Sequence, residues 1–157
     1  MNDVSSQAFT DQFISDVHAL LTDYHRAAFE HFRIPQTSRV GISLKDFLLR
    51  LFARAPHEFL ASRTTSQVAT IVGGCLETIE AMTASSDRVQ VSVNHQEESL
   101  SLFTALDDCP FIVSSIAERL SDAHIRVNAF LHPIFVYKGA PVALSYVDID
   151  PTYRESV

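Results

Sequence analysis

Asp107-Asp-Cys-Pro-Phe-Ile-Val113 separates two patterns of different period, and the fold follows from what lies on either side of it. Ahead of it, Leu100, Leu102, Thr104 and Leu106 recur every second residue, the spacing of a half-buried strand. Behind it, Phe111, Ile112, Ser115, Ile116 and Leu120 recur at three and four, the spacing of an amphipathic helix that stops near His124. Pro110 suits the first turn of that helix, where a missing N–H has no partner to lose. A second alternating run, Ile125 to Leu131, follows at once. The stretch therefore reads as a strand-to-helix corner in a compact β-α-β unit, suited to a ligand-sensing or assembly module rather than an active site.

Outward from this unit the period of two continues. Val89, Val91 and Val93 alternate with Gln90, Ser92 and Asn94. Gln96-Glu97-Glu98 then turns the chain, so residues 88 to 106 read as a β-hairpin. Downstream, His132-Pro133 breaks the strand, because proline cannot continue a central ladder. A short strand over 134 to 138, a turn at Lys138-Gly139-Ala140-Pro141 and a strand over 142 to 149 complete the pattern. Asp150-Pro151 reads as the entrance to one more helix. With Val157 the last residue, that element is expected to be cut off.

The first half reads as helical. Phe13, Val17, Leu20, Leu21, Tyr24 and Ala28 form one stripe, with Asp11, Asp16, Asp23 and Arg26 mostly off it. Ser43, with Asp46 three residues on, is placed to cap a second helix whose buried stripe is Leu44, Phe47, Leu48, Leu51 and Phe52. Pro56 ends it. A third helix is expected from Thr65 or Ser66 through Val68, Ile71, Val72, Cys75, Leu76, Ile79 and Met82. Gly73-Gly74 inside it costs roughly 1 kcal/mol per glycine relative to alanine, and implies a close crossing or a local break. The whole is an α+β arrangement: a helical region over 1–86, then an antiparallel sheet with at least one packed helix over 87–157.

Bulk properties narrow the function. The chain has 157 residues, 46% hydrophobic and 20% charged, enough for one domain with a sizeable core. Its formal charge of −7 and twelve scattered Lys and Arg residues disfavour nucleic acid, which needs clustered cations. The sequence shows neither a membrane-length apolar run nor a basic-then-apolar start, so no membrane partner and a cytoplasmic location are expected. Cys75 and Cys109 have neither disulfide nor zinc spacing and are expected to be buried thiols. The seven histidines, at 18, 25, 31, 57, 95, 124 and 132, form no metal-ligating pair.

The order β-α-β-β with Asp-x-Pro at the first corner resembles the ACT domain, a ferredoxin-like regulatory module of four strands and two helices that often binds amino acids. More closely, Leu106-Asp-Asp-Cys-Pro-Phe-Ile-Val-Ser-Ser115 and Val127-Asn-Ala-Phe-Leu-His-Pro-Ile-Phe135 resemble two motifs near the amino terminus of the large NAD-specific glutamate dehydrogenases. The resemblance is strong over residues 88 to 150 and weaker over the helical half. It implies a non-catalytic regulatory and assembly segment of an enzyme that oxidises L-glutamate to 2-oxoglutarate and ammonia. It departs in two places: Ser114 stands where that family has an acidic residue, and Phe111 where amino-acid-binding ACT domains place glycine. The catalytic lysine and the nicotinamide-binding unit of that family lie far downstream of such a segment. This chain has no G-x-G-x-x-G and only Gly41, Gly73, Gly74 and Gly139, so the resemblance implies NAD for the full-length enzyme and no cofactor here.

Six residues carry the expected site: Asp107, Asp108, Pro110 and Phe111 at the corner, with His132 and Pro133 on the sheet. Their expected work is positioning rather than bond making. Asp107 and Asp108 can accept orphan N–H groups at a helix start; the competing role is a paired-carboxylate acid/base or metal site. His132 is either aimed at a ligand or hydrogen-bonded to nearby backbone. Ser114-Ser115 lack a nucleophile elbow. Tyr24, Phe29 and Phe32 are expected in the core. The expected partners are other domains of a parent enzyme or a second copy in a homo-oligomer, with a possible small-molecule effector. A stand-alone ACT-like sensor of an amino acid or other small metabolite is the alternative.

Overall fold

The computed structural model describes Gln12 and residues 44–56, 58–59, 62–96, 99–137 and 139–152. The elements are α1 (Leu44–Phe52), α2 (Thr65–Ala84), β1 (Val89–Gln96), β2 (Ser99–Asp107), α3 (Ile112–Asp122), β3 (Val127–Leu131), β4 (Ile134–Tyr137) and β5 (Ala140–Ile149). The expected α+β class is what the structure has. The amphipathic stripe over 13 to 28, the Ser43 cap, the aromatic residues 24, 29 and 32, and the turn at Glu97-Glu98 lie outside the described residues.

The five strands form one antiparallel sheet in the order β1-β2-β5-β3, with β4 also on β5. The hairpin register runs from Val89 opposite Leu106 to Gln96 opposite Ser99, as period-two alternation requires. Because β2 and β3 each pair antiparallel with β5, they run parallel to one another with β5 between them. The crossover α3 therefore joins a split β-α-β unit. β3 and β4 lie end to end along the same edge of β5, and Pro133 at the break accepts the Leu144 N–H through its carbonyl (3.1 Å).

Helices pack on both faces of the sheet, although on the α3 face the β1 valines and Ile134 and Val136 of β4 stay exposed. On one, α1 and α2 bury Leu48, Val68, Val72 and Met82 against Phe103, Phe135, Leu144 and Tyr146. On the other, Leu120 and Ile116 of α3 pack on Val147, Ile149, Leu100 and Leu102. The even-numbered face of β2 read from the sequence is thus the α3 side, while the most deeply buried β2 residues, Phe103 and Ala105, lie on the opposite face. The change of period at 86/87 marks the passage from helices to strands, and a single hydrophobic cluster from Phe47 to Tyr146 runs across it.

Helix α2 starts where Thr64 and Gln67 form a reciprocal capping box, worth about 1 kcal/mol. It runs unbroken through Gly73-Gly74, so the glycine pair marks a close approach: a Cβ on Gly74 would lie 2.6 Å from the Phe103 ring. Helix α3 ends in a Schellman motif. His124 adopts φ 57°, its N–H donates to Ser121 O, and Ile125 N–H donates to Leu120 O (both 2.9 Å). Among the described residues, no helix is long and apolar enough to cross a membrane.

Candidate functional site

The 107–113 corner sits at the end of β2, against the start of β5. The Asp108 N–H donates to Pro141 O (3.1 Å), which ties the two strands together there. The Asp107 carboxylate accepts a fork from Arg88, with Nε at 2.7 and 2.9 Å and Nη2 at 2.7 Å. That hydrogen bonding holds the Asp107 carboxyl below the usual carboxylate range. Arg88 itself sits at φ 51°, a left-handed turn that brings its guanidinium beside the strand end. Together with Asp108, Thr83, Tyr137 and Pro141, this pair lines an open cleft of about 420 Å³.

Three sequence expectations need correction here. Asp107 and Asp108 do not cap the helix: α3 begins at Ile112, and its N-cap Phe111 makes no side-chain cap bond. Arg88 takes the Asp107 carboxylate instead. Pro110 lies two residues before the helix rather than in its first turn, because left-handed Phe111 (φ 67°) interrupts the helical path between them. Cys109 is exposed; only Cys75 is buried, and burial pushes its thiol pKa far up, leaving it unreactive.

Phe111 combines a left-handed backbone with a ring that is 80% exposed. A non-glycine residue in that conformation costs about 1–2 kcal/mol. Phe111→Gly is therefore expected to stabilise the protein by about 1 kcal/mol once glycine's larger unfolded-state freedom is subtracted. Urea unfolding measures this; a lower midpoint in the variant would mean the exposed ring contributes contacts that offset the strain.

His132 lies at the β3–β4 break. Its Nδ1 is 2.9 Å from Ser145 Oγ, and a backbone hydrogen bond with Leu144 also holds the ring, the backbone engagement expected at a strand break. Burial lowers its pKa, and the nearby charge of Asp108 acts the other way. His132 and Pro133 do not line the corner cleft. Of the six expected site residues, the structure thus places Asp107 and Asp108 together and His132 within electrostatic reach of Asp108. Pro110 and Phe111 form the turn leading into α3. Among the described residues, no cluster of His, Cys, Asp and Glu is arranged to hold a metal ion.

A second polar cluster at the other end of the sheet escaped the sequence reading. Arg63 Nη2 donates to Asp148 Oδ2 at 2.6 Å, with side chains only 18% and 12% exposed. Its guanidinium carbon stands 3.7 Å from the Phe59 ring centre. Tyr146 Oη and Ser101 Oγ are 3.2 Å apart beside it. Burial pushes the Tyr146 phenol up to about 12 and also raises the Asp148 carboxyl despite Arg63. One signal was available: a charge inside the apolar run Val142 to Ile149 requires a buried partner.

Against this geometry stands one family match: residues 47–144 fit the family described as glutamate dehydrogenase, ACT1 domain. The chain belongs to this family. No curated protein and no solved structure matches the chain. The ACT1 match runs from Phe47 in α1 to Leu144 in β5, so the family unit includes both helices beneath the sheet as well as the corner and the His132-Pro133 break.

The Asp107–Arg88 pair of this ACT1 unit makes a pH prediction. Asp107 has a folded-state pKa below its unfolded value, so its contribution to stability is present above about pH 4 and lost as pH falls through the folded pKa. Asp107→Asn is expected to lower the melting temperature at pH 7 slightly and by less in high salt, since the pair is exposed. The difference between the two proteins should vanish in strong acid. A gap that widens as pH falls would contradict this.

Proposed function

We propose that this chain is a non-catalytic regulatory and assembly segment of a large NAD-dependent glutamate dehydrogenase in the cytoplasm, whose complete form converts L-glutamate to 2-oxoglutarate and ammonia. The match to the ACT1 family over residues 47–144 carries this reading. The corner chemistry supports it: Asp107 is engaged by Arg88, and the Asp108 backbone by Pro141. These contacts hold the strand ends together and commit the Asp107 carboxylate to an ion pair. NAD belongs to the rest of such an enzyme, and this segment carries no cofactor of its own.

For assembly, the favoured surface is the outer edge of β1 and the favoured partner a second copy. Its sequence, Val89-Gln-Val-Ser-Val-Asn-His-Gln96, holds no Lys, Arg, Asp, Glu or Pro, the residues that normally block edge-to-edge pairing. Val89, Val91 and Val93 are about half exposed on one side of it. An uncharged strand meeting itself antiparallel across a two-fold axis sets valine beside valine without charge repulsion.

The chain by itself should give no glutamate-dependent NADH formation; robust turnover rejects the reading. Light scattering should give a dimer or larger, and Val91→Lys should shift it toward monomer. A wild-type monomer at high concentration would rule out the edge pairing.

A further inference from the structure

We propose that residues 13–28 of this chain lie as a helix along β1 on the α3 face of the sheet, with the stripe Phe13, Val17, Leu20, Leu21, Tyr24 and Ala28 resting on Val89, Val91 and Val93. The burial of β1 calls for such a cover. A strand with one wet face turns its apolar residues to the packed side. β1 does the reverse. Gln90, Ser92 and Asn94 share the α2 face, are partly buried there, and Ser92 Oγ meets Thr78 Oγ1 of α2 at 3.0 Å. The three valines point the other way and are 48%, 55% and 52% exposed. Beside them Leu102 and Leu106 of β2, both only partly buried, continue the apolar floor.

A single helix fits this space. Among the described residues α3 is the one helix on this face, and it sits over β5 and β3, whereas the other face carries both α1 and α2. The order β1-β2-β5-β3 spans about 14 Å between its outer strands, room for two helices side by side at about 8–10 Å. The sixteen residues 13–28 make a helix about 24 Å long, close to the ~27 Å of β1 with its eight residues. Phe47 and Arg50 anchor α1 to β4. From there the fifteen residues 29–43 can span up to about 50 Å, well beyond the width of the sheet. A second copy suits the edge of β1 but not this face. Its sheet would be propped off the valines by α3, a ridge about 10 Å high, and its own α3 turns outward Ser114, Ser115, Glu118 and Arg119, all polar and exposed. In the segment 13–28, by contrast, Asp16, Asp23 and Arg26 fall mostly off the apolar stripe, so docking leaves them in water.

Covering the valine face uses side chains, and pairing along the β1 edge uses backbone, so the two are tested apart. Methyl-resolved NMR of the 157-residue chain with a soluble paramagnetic agent reads how open each side chain is to solvent. Val89, Val91 and Val93 are expected to be shielded to the level of Leu102, well below Val136 of β4, which is 53% exposed at the opposite edge of the sheet. Leu20→Glu should open the three valines to the level of Val136, and Asp16→Lys, off the stripe, should leave them shielded. A second measurement does not depend on how well Leu20→Glu folds. In a Cys109→Ser background, Leu20→Cys together with Val91→Cys should be joined within one chain by a short bis-maleimide, Cys75 being buried. Valines as open as Val136 in the unaltered protein, shielding that persists in folded Leu20→Glu, or linkage only between chains carrying one of the two thiols each would overturn the proposal; the last would assign the cover to a second copy. None of these outcomes touches the glutamate dehydrogenase reading, which turnover tests separately.

Discussion

Gly74→Val is expected to destabilise the protein by about 2–3 kcal/mol, while Gly73→Ala, one residue away, is expected to stabilise it by about 1 kcal/mol. A Cβ at Gly74 would sit 2.6 Å from Phe103 Cζ and 2.8 Å from Cε1. The ring has little room to retreat. It is 2% exposed, its centre is 5.3 Å from that of Tyr146, and Tyr146 in turn meets Phe59 edge-on at 6.0 Å. Close-packed interiors transmit such an intrusion instead of absorbing it. At Gly73 nothing lies within 4 Å of the added atom, so only the helix-propensity gain remains. Urea unfolding of the two variants measures both signs; equal midpoints would mean that α2 shifts on the sheet to make room.

Phe135→Ala is expected to cost about 3–5 kcal/mol, the range for removing a buried phenylalanine and leaving a cavity. Phe135 is 1% exposed and stacks on Phe47 of α1 with ring centres 4.7 Å apart and planes 14° from parallel. β4 has only four residues, so this ring is a large share of what that strand buries. The same contact attaches α1 to the sheet edge, where Arg50 Nη1 also reaches Ile134 O at 3.5 Å. Hydrogen exchange should therefore show α1 losing protection before the β1–β2 hairpin does. Uniform loss of protection, or a cost under about 1 kcal/mol, would mean α1 is held by other contacts.

The elements whose hydrophobic period was unambiguous were legible in the sequence. Helix α2 begins at Thr65 as expected, and the hairpin pairs in the register that its alternating valines and leucines imply. The corner was legible as a corner, since Asp-Asp-Cys-Pro interrupts both periods. Its internal chemistry was not. Asp107 turned out to face Arg88, nineteen residues earlier, and only the antiparallel return of β1 onto β2 brings those ends together. The helix start moved to Ile112 because Phe111 takes a left-handed backbone, which a bulky aromatic residue does not advertise.

Period and composition, which are local, settled by themselves that this chain builds helices first and then an antiparallel sheet with a helix packed on it. Motif order pointed to the family. Whether Gly73-Gly74 meant a break or a close approach, which face of β2 is the deeper one, and that Arg63 would meet Asp148 across eighty-five positions were decided only by tertiary packing. Each depends on which elements stack on which face of the sheet, and a pair of residues far apart along the chain has no partner until that stacking closes the distance.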